Sequence, residues 1–312
     1  MDEVAPGIRR LTFPLPLGID HVHCYLVRSR AGGFMVVDTA LALPEAEERW
    51  RTALAGLDGP VERIFVTHFH PDHVGGGALV SALTGAPVLQ GRLDYEYCVR
   101  AWGSAGGYRA TQAHLVSHGM PEAEAATVGE HHDLLARAVR FARDPAPVDP
   151  GDTVDGWEVE HLPGHADGHL ALLRGGILLA GDALLGEISS NVGIHPGSRP
   201  DPLADYLGSL ERIASLAPKL ALPGHGPPIS NPAGRAREIA AHHRERLELA
   251  TAALGDRPRT AYEVSHTLFP QDLSPGVRRL ALAETLAHLE HLALRGVVQR
   301  DGGERVDYRR SL

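Results

Sequence analysis

Between Thr67 and Gly77 the chain reads THFHPDHVGGG, which sets three histidines and an aspartate within the six positions from His68 to His73. The preceding VERIFV is short, β-branched and apolar, as a buried strand would be. The following PDHVGGGALVSALTG opens with Pro and Asp before turning small and apolar, as a helix start would. The loop therefore sits at the carboxyl end of a strand. His68 and His70, two apart on extended backbone, can point the same way, while Asp72 and His73 lie where the chain turns into the helix and face a neighbouring point. Two ligand pairs suggest two metals. Neutral imidazole and carboxylate suit zinc and similar divalent ions, and hydrolytic two-metal sites hold their ions roughly 3.5–4 Å apart.

Two metals need further ligands, at other strand ends. Pro-Gly-His occurs twice, in LPGHADGH with His165 and in LPGHGPP with His225, each after an apolar β-like run and beside a glycine that lets the backbone bend sharply. AGDALLG places Asp182 after RGGILLA. A carboxylate can bind one metal with each oxygen, which makes Asp182 the candidate to bridge both ions.

The order HFHPDH, PGH, GD, PGHG resembles the metallo-β-lactamase superfamily across roughly residues 8 to 245. The resemblance implies an αββα sandwich in which His68, His70 and His165 hold one metal, Asp72, His73 and His225 hold the other, and Asp182 bridges them, with Asp38 in support. VVDTA resembles the family's early DTG element, with Ala40 in place of the usual glycine. Zinc β-lactamases generally carry cysteine near the bridging position, whereas Asp182 is similar to the glyoxalase II, lactonase and nuclease branches, so antibiotic hydrolysis is disfavoured. GDALLGE, PGHGPPISN and the tail look most like the β-lactamase-like group that includes a mitochondrial single-strand endoribonuclease and many bacterial hydrolases. Two divalent ions sharing a water lower its pKa towards ~7, and Asp72 can orient that water and pass a proton to the leaving group. Zinc is the first expectation for the pair. Iron and manganese are accepted by the same nitrogen and oxygen donors.

The elements that must position these residues can be read around them. From Ile8 to Thr39 short apolar runs alternate with turn residues, as in a β-meander, and PEAEERWRTALAGL reads as a helix. Residues 92–146 form an insert of two or three helices carrying Tyr95, Tyr97, Trp102 and Tyr108, which could cap a pocket. A second strand-rich half begins near Val148 with GWEVEHL, ALLRGGILLAGD and LALPGHG, and PLADYLGSLERIASL is a helix between the last two. The expected class is α+β: a hydrolase domain over 1–255, two sheets face to face with helices outside, and a small winged-helix-like domain over 256–312. In that tail Leu282, Leu286, Leu289 and Ala293 recur at helical spacing, and VVQRDGGERVDYRR reads as two strands about a turn. Its apolar face has to be met by the rest of the chain or by a second copy, so packing or homodimerisation is its expected role.

Bulk properties narrow the function. The 312 residues are 43% hydrophobic and 22% charged, with no apolar run of the ~18 residues a membrane span needs. MDEVAPGIRR is acidic where a secretory leader would be basic, so a cytoplasmic location is expected. Cys24 and Cys98 are too few for a disulfide framework and read as buried small hydrophobes. The formal charge of −9 argues against a polyanionic substrate, and the tail from Arg257 has 9 Arg against 7 Asp or Glu, little for a nucleic-acid reader. A metal-dependent hydrolase of a small-molecule ester, thioester or lactone is the expected function, with single-strand endoribonuclease the alternative. Of the remaining histidines, His21 and His23 share a strand face near the pocket, His169 supports the loop behind His165, and His195 is a candidate for the substrate entrance. His131, His132, His242 and His243 read as surface.

Overall fold

The computed structural model describes residues 1–16, 19–103, 108–255 and 257–311. Residues 104–107 of the insert and residue 256, the expected start of the tail, lie outside the described residues. In chain order the first half comprises β1 (Asp2–Ala5), β2 (Ile8–Pro14), β3 (His21–Arg28), β4 (Phe34–Val37), α1 (Pro44–Ala55), β5 (Val61–Val66), α2 (Pro71–Val74), α3 (Gly77–Thr84) and β6 (Val88–Gly91). The insert supplies α4 (Arg92–Trp102), α5 (Tyr108–Ser117) and α6 (Glu122–Ala136). There follow β7 (Ala146–Val148), β8 (Thr153–Val154), β9 (Trp157–His161), β10 (Leu170–Arg174), β11 (Ile177–Gly181), α7 (Pro202–Leu216), β12 (Leu220–Pro223) and α8 (Pro232–Ala253). The tail holds α9 (Ala261–Leu268), α10 (Pro275–Leu294), β13 (Val298–Asp301) and β14 (Asp307–Arg310), two helices and then a hairpin, in the order read from the sequence.

The strands form a seven-stranded sheet in the order β1-β2-β3-β4-β5-β6-β7 and a five-stranded sheet in the order β12-β11-β10-β9-β8. Side chains alternate across each strand, and here both faces are apolar because both are covered. In β4, Met35 and Val37 meet Leu172, Leu179 and Leu222 of the other sheet, while Phe34 and Val36 pack outward with Trp50 of α1 and Val80 of α3. In β10 and β11, Leu172 and Leu179 face the first sheet, and Ala171, Leu178 and Ala180 face Leu203, Leu210 and Ile213 of α7 and Ile239 of α8. This is the expected αββα sandwich.

Two local readings are corrected. Ala146–Val148 does not open the second half; it pairs parallel with β6 and closes the first sheet. The segment after Pro71 is not one helix but α2 and α3, parted at Gly75–Gly76. There the chain presses on the end of β4: Gly76 N donates to Ala40 O at 2.7 Å, and a Cβ on Gly76 would stand 2.3 Å from Thr39 O. Only glycine permits that approach.

Candidate metal centre

All of the expected ligands lie at carboxyl ends of neighbouring strands, where the sandwich opens. β5 delivers His68, His70, Asp72 and His73, β9 is followed by His165, β11 by Asp182 and β12 by His225. Three groups of side-chain donors come together: His68 with His70 and His165, Asp72 with His73 and His225, and His68 with His73 and Asp182. His70 Nδ1 stands 2.8 Å from His165 Nε2 and 3.1 Å from His68 Nε2. Asp182 lies between the triplets, with Oδ2 at 3.2 Å from His225 Nε2 and 3.6 Å from His165 Nε2, and Oδ1 at 3.4 Å from His73 Nε2. Asp72 Oδ2 is 3.4 Å from His225 Nε2.

The outward ring nitrogens decide what the inward ones can do. His73 Nδ1 donates to Asp38 Oδ2 at 2.8 Å, His165 Nδ1 to Asn191 O at 2.7 Å, and His225 Nδ1 to His21 O at 2.6 Å. Thr67 Oγ1 gives its proton to Asp38, so at 3.0 Å it accepts from His68 Nδ1. Each of these four rings therefore turns Nε2 inward with its other nitrogen already engaged, the orientation a metal ligand needs. A proton on His70 Nδ1 can serve only one of its two neighbours. His73 Nε2 and Asp182 Oδ1 are buried with no hydrogen-bond partner, which is costly for a neutral site and is relieved by a cation.

The electrostatics agree. Burial holds His68 and His70 well below the ordinary imidazole pKa, and the neighbouring rings push the same way. Burial alone would raise Asp182, but His225 and His73 outweigh it and hold the carboxyl well below its usual range. Burial would likewise lower His73 and His225, yet the surrounding carboxylates hold His73 well above the ordinary imidazole range and lift His225 to about 10. The carboxylates thus attract positive charge to the point where the ring nitrogens converge, as protons on these two rings or as cations that would displace them. The donor set fits divalent cations.

Asp38 is the support beneath. Its carboxylate accepts from Thr67 N at 2.8 Å, from Thr67 Oγ1 and from His73 Nδ1, tying β4 to the ligand loop. It does so from a left-handed backbone (φ 60°), and Ala40 two residues on has φ 59°, so the position where the resemblance expects glycine does carry a glycine-like conformation. Gly224, before His225, has no room for a side chain: a Cβ there would meet Asp182 Oδ1 at 2.3 Å. His169 accepts from Asp182 N at 3.1 Å and stacks on His68 at 4.8 Å, bracing both, in keeping with its place behind His165. His21 and His23 hold the His225 loop, through Gly226 N to His21 Nε2 and His23 Nε2 to Gly226 O.

Other expectations resolve case by case. Tyr97 stacks on Phe69 at 5.1 Å and Trp102 Nε1 donates to Phe69 O at 3.0 Å, so α4 pins the loop between His68 and His70, whereas Tyr95 packs into the first-sheet core. Cys24 and Cys98 are buried. His131 and His242 are exposed, but His243 is fully buried against His288 and His132 is half-buried under Trp102, because the tail and the insert cover helix faces that look free in the sequence. Sequence reasoning missed Asn191. Its carbonyl orients His165 while its amide donates to Glu284 Oε2 at 3.0 Å on α10, and only its place in the loop after Asp182 hinted at it.

The chain is similar to known proteins. Residues 17–225 match the family described as Metallo-beta-lactamase superfamily, and residues 247–310 match Metallo-beta-lactamase-like, C-terminal domain. A metallo-beta-lactamase family protein of Thermus thermophilus is 37% identical, with TM-score 0.88 over 99% of this chain and 100% of that one. A probable metallo-hydrolase of Bacillus subtilis is 28% identical over 89% of this chain and 90% of its own length. A hydroxyacylglutathione hydrolase of Aeromonas hydrophila is 29% identical over 58% of this chain and 52% of its own.

Proposed function

The chain belongs to the metallo-beta-lactamase superfamily, and from that premise we propose that it is a two-metal hydrolase of a small-molecule ester, thioester or lactone. The observation that carries this reading is the convergence of inward ring nitrogens, each ring fixed by an acceptor behind it, on either side of Asp182. In it His68, His70 and His165 hold one divalent cation, Asp72, His73 and His225 the other, and Asp182 both. The donors are nitrogen and oxygen alone, a set that suits zinc and accepts iron or manganese. When bound, two such cations supply Lewis acidity, acidifying a water and polarising the oxygen of the bond to be cut.

The chain's own groups do the rest. Asp38, Asn191 and the His21 carbonyl keep each imidazole in one orientation through turnover. Asp72 is half-buried at the edge of the cluster, where its carboxylate can hold a water by hydrogen bond, take its proton and hand it to the leaving group. Phe69, Tyr97 and Trp102 line one wall, a surface suited to a compact acyl substrate.

The tail speaks against nucleic acid. Its arginines are engaged locally, Arg300 with Glu290, Arg305 with Glu263 and Asp307, and Arg309 with Asp301, which leaves the hairpin little free positive charge. The thioester arm also accords with the relative named hydroxyacylglutathione hydrolase. A panel of thioesters, lactones, aryl esters and single-stranded RNA, run on one metal-loaded sample, tests the proposal. Turnover of at least one small acyl substrate is expected, and cleavage of RNA alone would overturn it.

A further inference from the structure

Eight of the nine arginines between Arg257 and Leu312 have a carboxylate or a carbonyl as partner. Arg279, half-buried on α10, is the exception: among the described residues it has neither an ion pair nor an acceptor for its N–H groups. An arginine stays charged, and a half-buried charge without a partner is unfavourable. Arg109, Arg137, Arg140, Arg237 and Arg244 also have no such partner among the described residues, but they are exposed, whereas Arg279 is half-buried.

Its position gives that isolation a meaning. Three residues before it, a Cβ on Gly276 would stand 3.9 Å from His131 Nδ1 on α6. Four residues after it, Ala283 O accepts from Ile194 N at 3.2 Å, and a Cβ on Gly193 would touch both Ala283 Cβ and His195 Nε2. The helical spacing sets 276, 279 and 283 in one stripe, so Arg279 leaves α10 between α6 and the 191–198 loop. Burial depresses the rings of His132 and His195, and the nearby Arg279 charge pushes both the same way; His195 in turn adds to the depression of His70 in the metal cluster. His132 stacks on Trp102 at 5.0 Å, and Trp102 is bonded to Phe69 in the ligand loop. The loop that carries His195 thus joins the two places: Asn191 O holds His165 of the cluster, while Asn191 Nδ2 donates to Leu280 O, next to Arg279 on α10.

We propose that Arg279, with the ring N–H of His195 beside it, is an anion-recognition subsite of the metal centre, and that the substrate is an ester or thioester carrying an oxyanion group, carboxylate or phosphate, on the side facing α10. This rests on the hydrolase reading above and adds a substrate class to it. The guanidinium fork matches either anion, and the partial burial of Arg279 and His195 strengthens the contact.

The test uses metal-loaded full-length protein and matched thioester pairs: a succinyl thioester against its methyl ester, and a phosphorylated acyl thioester against its uncharged alcohol. Wild type should prefer the charged member of one pair by at least about tenfold in kcat/KM, and which pair identifies the anion. Arg279→Gln should erase that preference through KM, with kcat and the neutral member within about twofold, and Arg279→Lys should restore part of it. Glutarate or inorganic phosphate should inhibit the wild type competitively and Arg279→Lys less well, a reading that stands even if the glutamine variant does not fold. Equal turnover of charged and neutral members by the wild type, or Arg279→Gln slowing both alike with unchanged circular dichroism, would overturn the subsite and leave the hydrolase standing. A wild type with both metals bound that turns over no ester, thioester or lactone, or cleaves single-stranded RNA in their place, removes the hydrolase reading and the subsite with it.

Discussion

Asp182 is the residue on which both ligand triplets depend, since its two oxygens are shared among His73, His165 and His225. Asp182→Asn keeps the shape and removes the charge, and the amide nitrogen cannot bind a cation. Turnover of whichever ester the panel identifies should fall at least about a thousandfold, roughly 4 kcal/mol of transition-state stabilisation, while the circular dichroism spectrum stays that of the wild type. A fall of less than tenfold would remove Asp182 from the bridge. The seven proposed ligands are legible in the sequence because each is punctuated by its strand end: four lie within one loop, and the others follow apolar runs that stop at Pro-Gly or Gly. The groups behind them are not. Asn191 O and His21 O act through backbone carbonyls, which every residue has, and Glu284 reaches the site from 93 positions beyond Asn191. Arg279 does not stand out either, because an arginine on an amphipathic helix looks like any other until its partners are known.

Among the elements, strands are more legible than helix faces. VERIFV is β5 residue for residue, since its buried, β-rich half Ile64-Phe65-Val66 runs straight into the histidine loop and Gly59-Pro60 marks its start. Val148 falls in the other sheet from the one its sequence suggests because β7 has only three residues, and nothing in so short a run states its partner. His243 shows the same gap for helices. It lies on α8 in a polar stretch, yet its Nδ1 donates to His288 Nε2 at 3.2 Å, and His288 Nδ1 donates to Glu284 O at 2.7 Å. Burial pushes His243 down to about 3 and His288 to about 4, from an unfolded value of 6.5. Below that unfolded value the unfolded chain takes up protons that the folded joint refuses. The stability of this joint is therefore full above pH ~6.5 and is lost as pH falls towards the folded values, by up to about 1.4 kcal/mol per unit for each histidine. Urea midpoints of the wild type and His288→Gln at pH 7.5 and 5.5 measure this. The variant should lose less stability between the two, and an equal or greater loss would contradict the assignment.

At the scale of the whole molecule, the tail is built into the rest rather than appended to it. Leu282, Leu286 and Leu289 of α10 share a core with Tyr108 and Leu115 of α5, Val128 of α6 and Leu254 beyond α8, so the insert and the tail bury each other. The same helix braces His165 through Glu284 and Asn191. Removing residues 256–312 should therefore expose apolar surface and loosen one cation at once. Light scattering should show association or aggregation, and competition with a chelator should show weaker retention of one metal. A truncated chain that remains monomeric with unchanged metal affinity would contradict this coupling. The central claim is that seven side chains on four strand ends hold two cations, and its most direct test is the metal content of protein purified without chelator. Elemental analysis should approach two divalent transition-metal ions per chain, falling towards one or none in Asp182→Asn. Full hydrolytic activity in a wild-type sample that never binds more than one ion would contradict it.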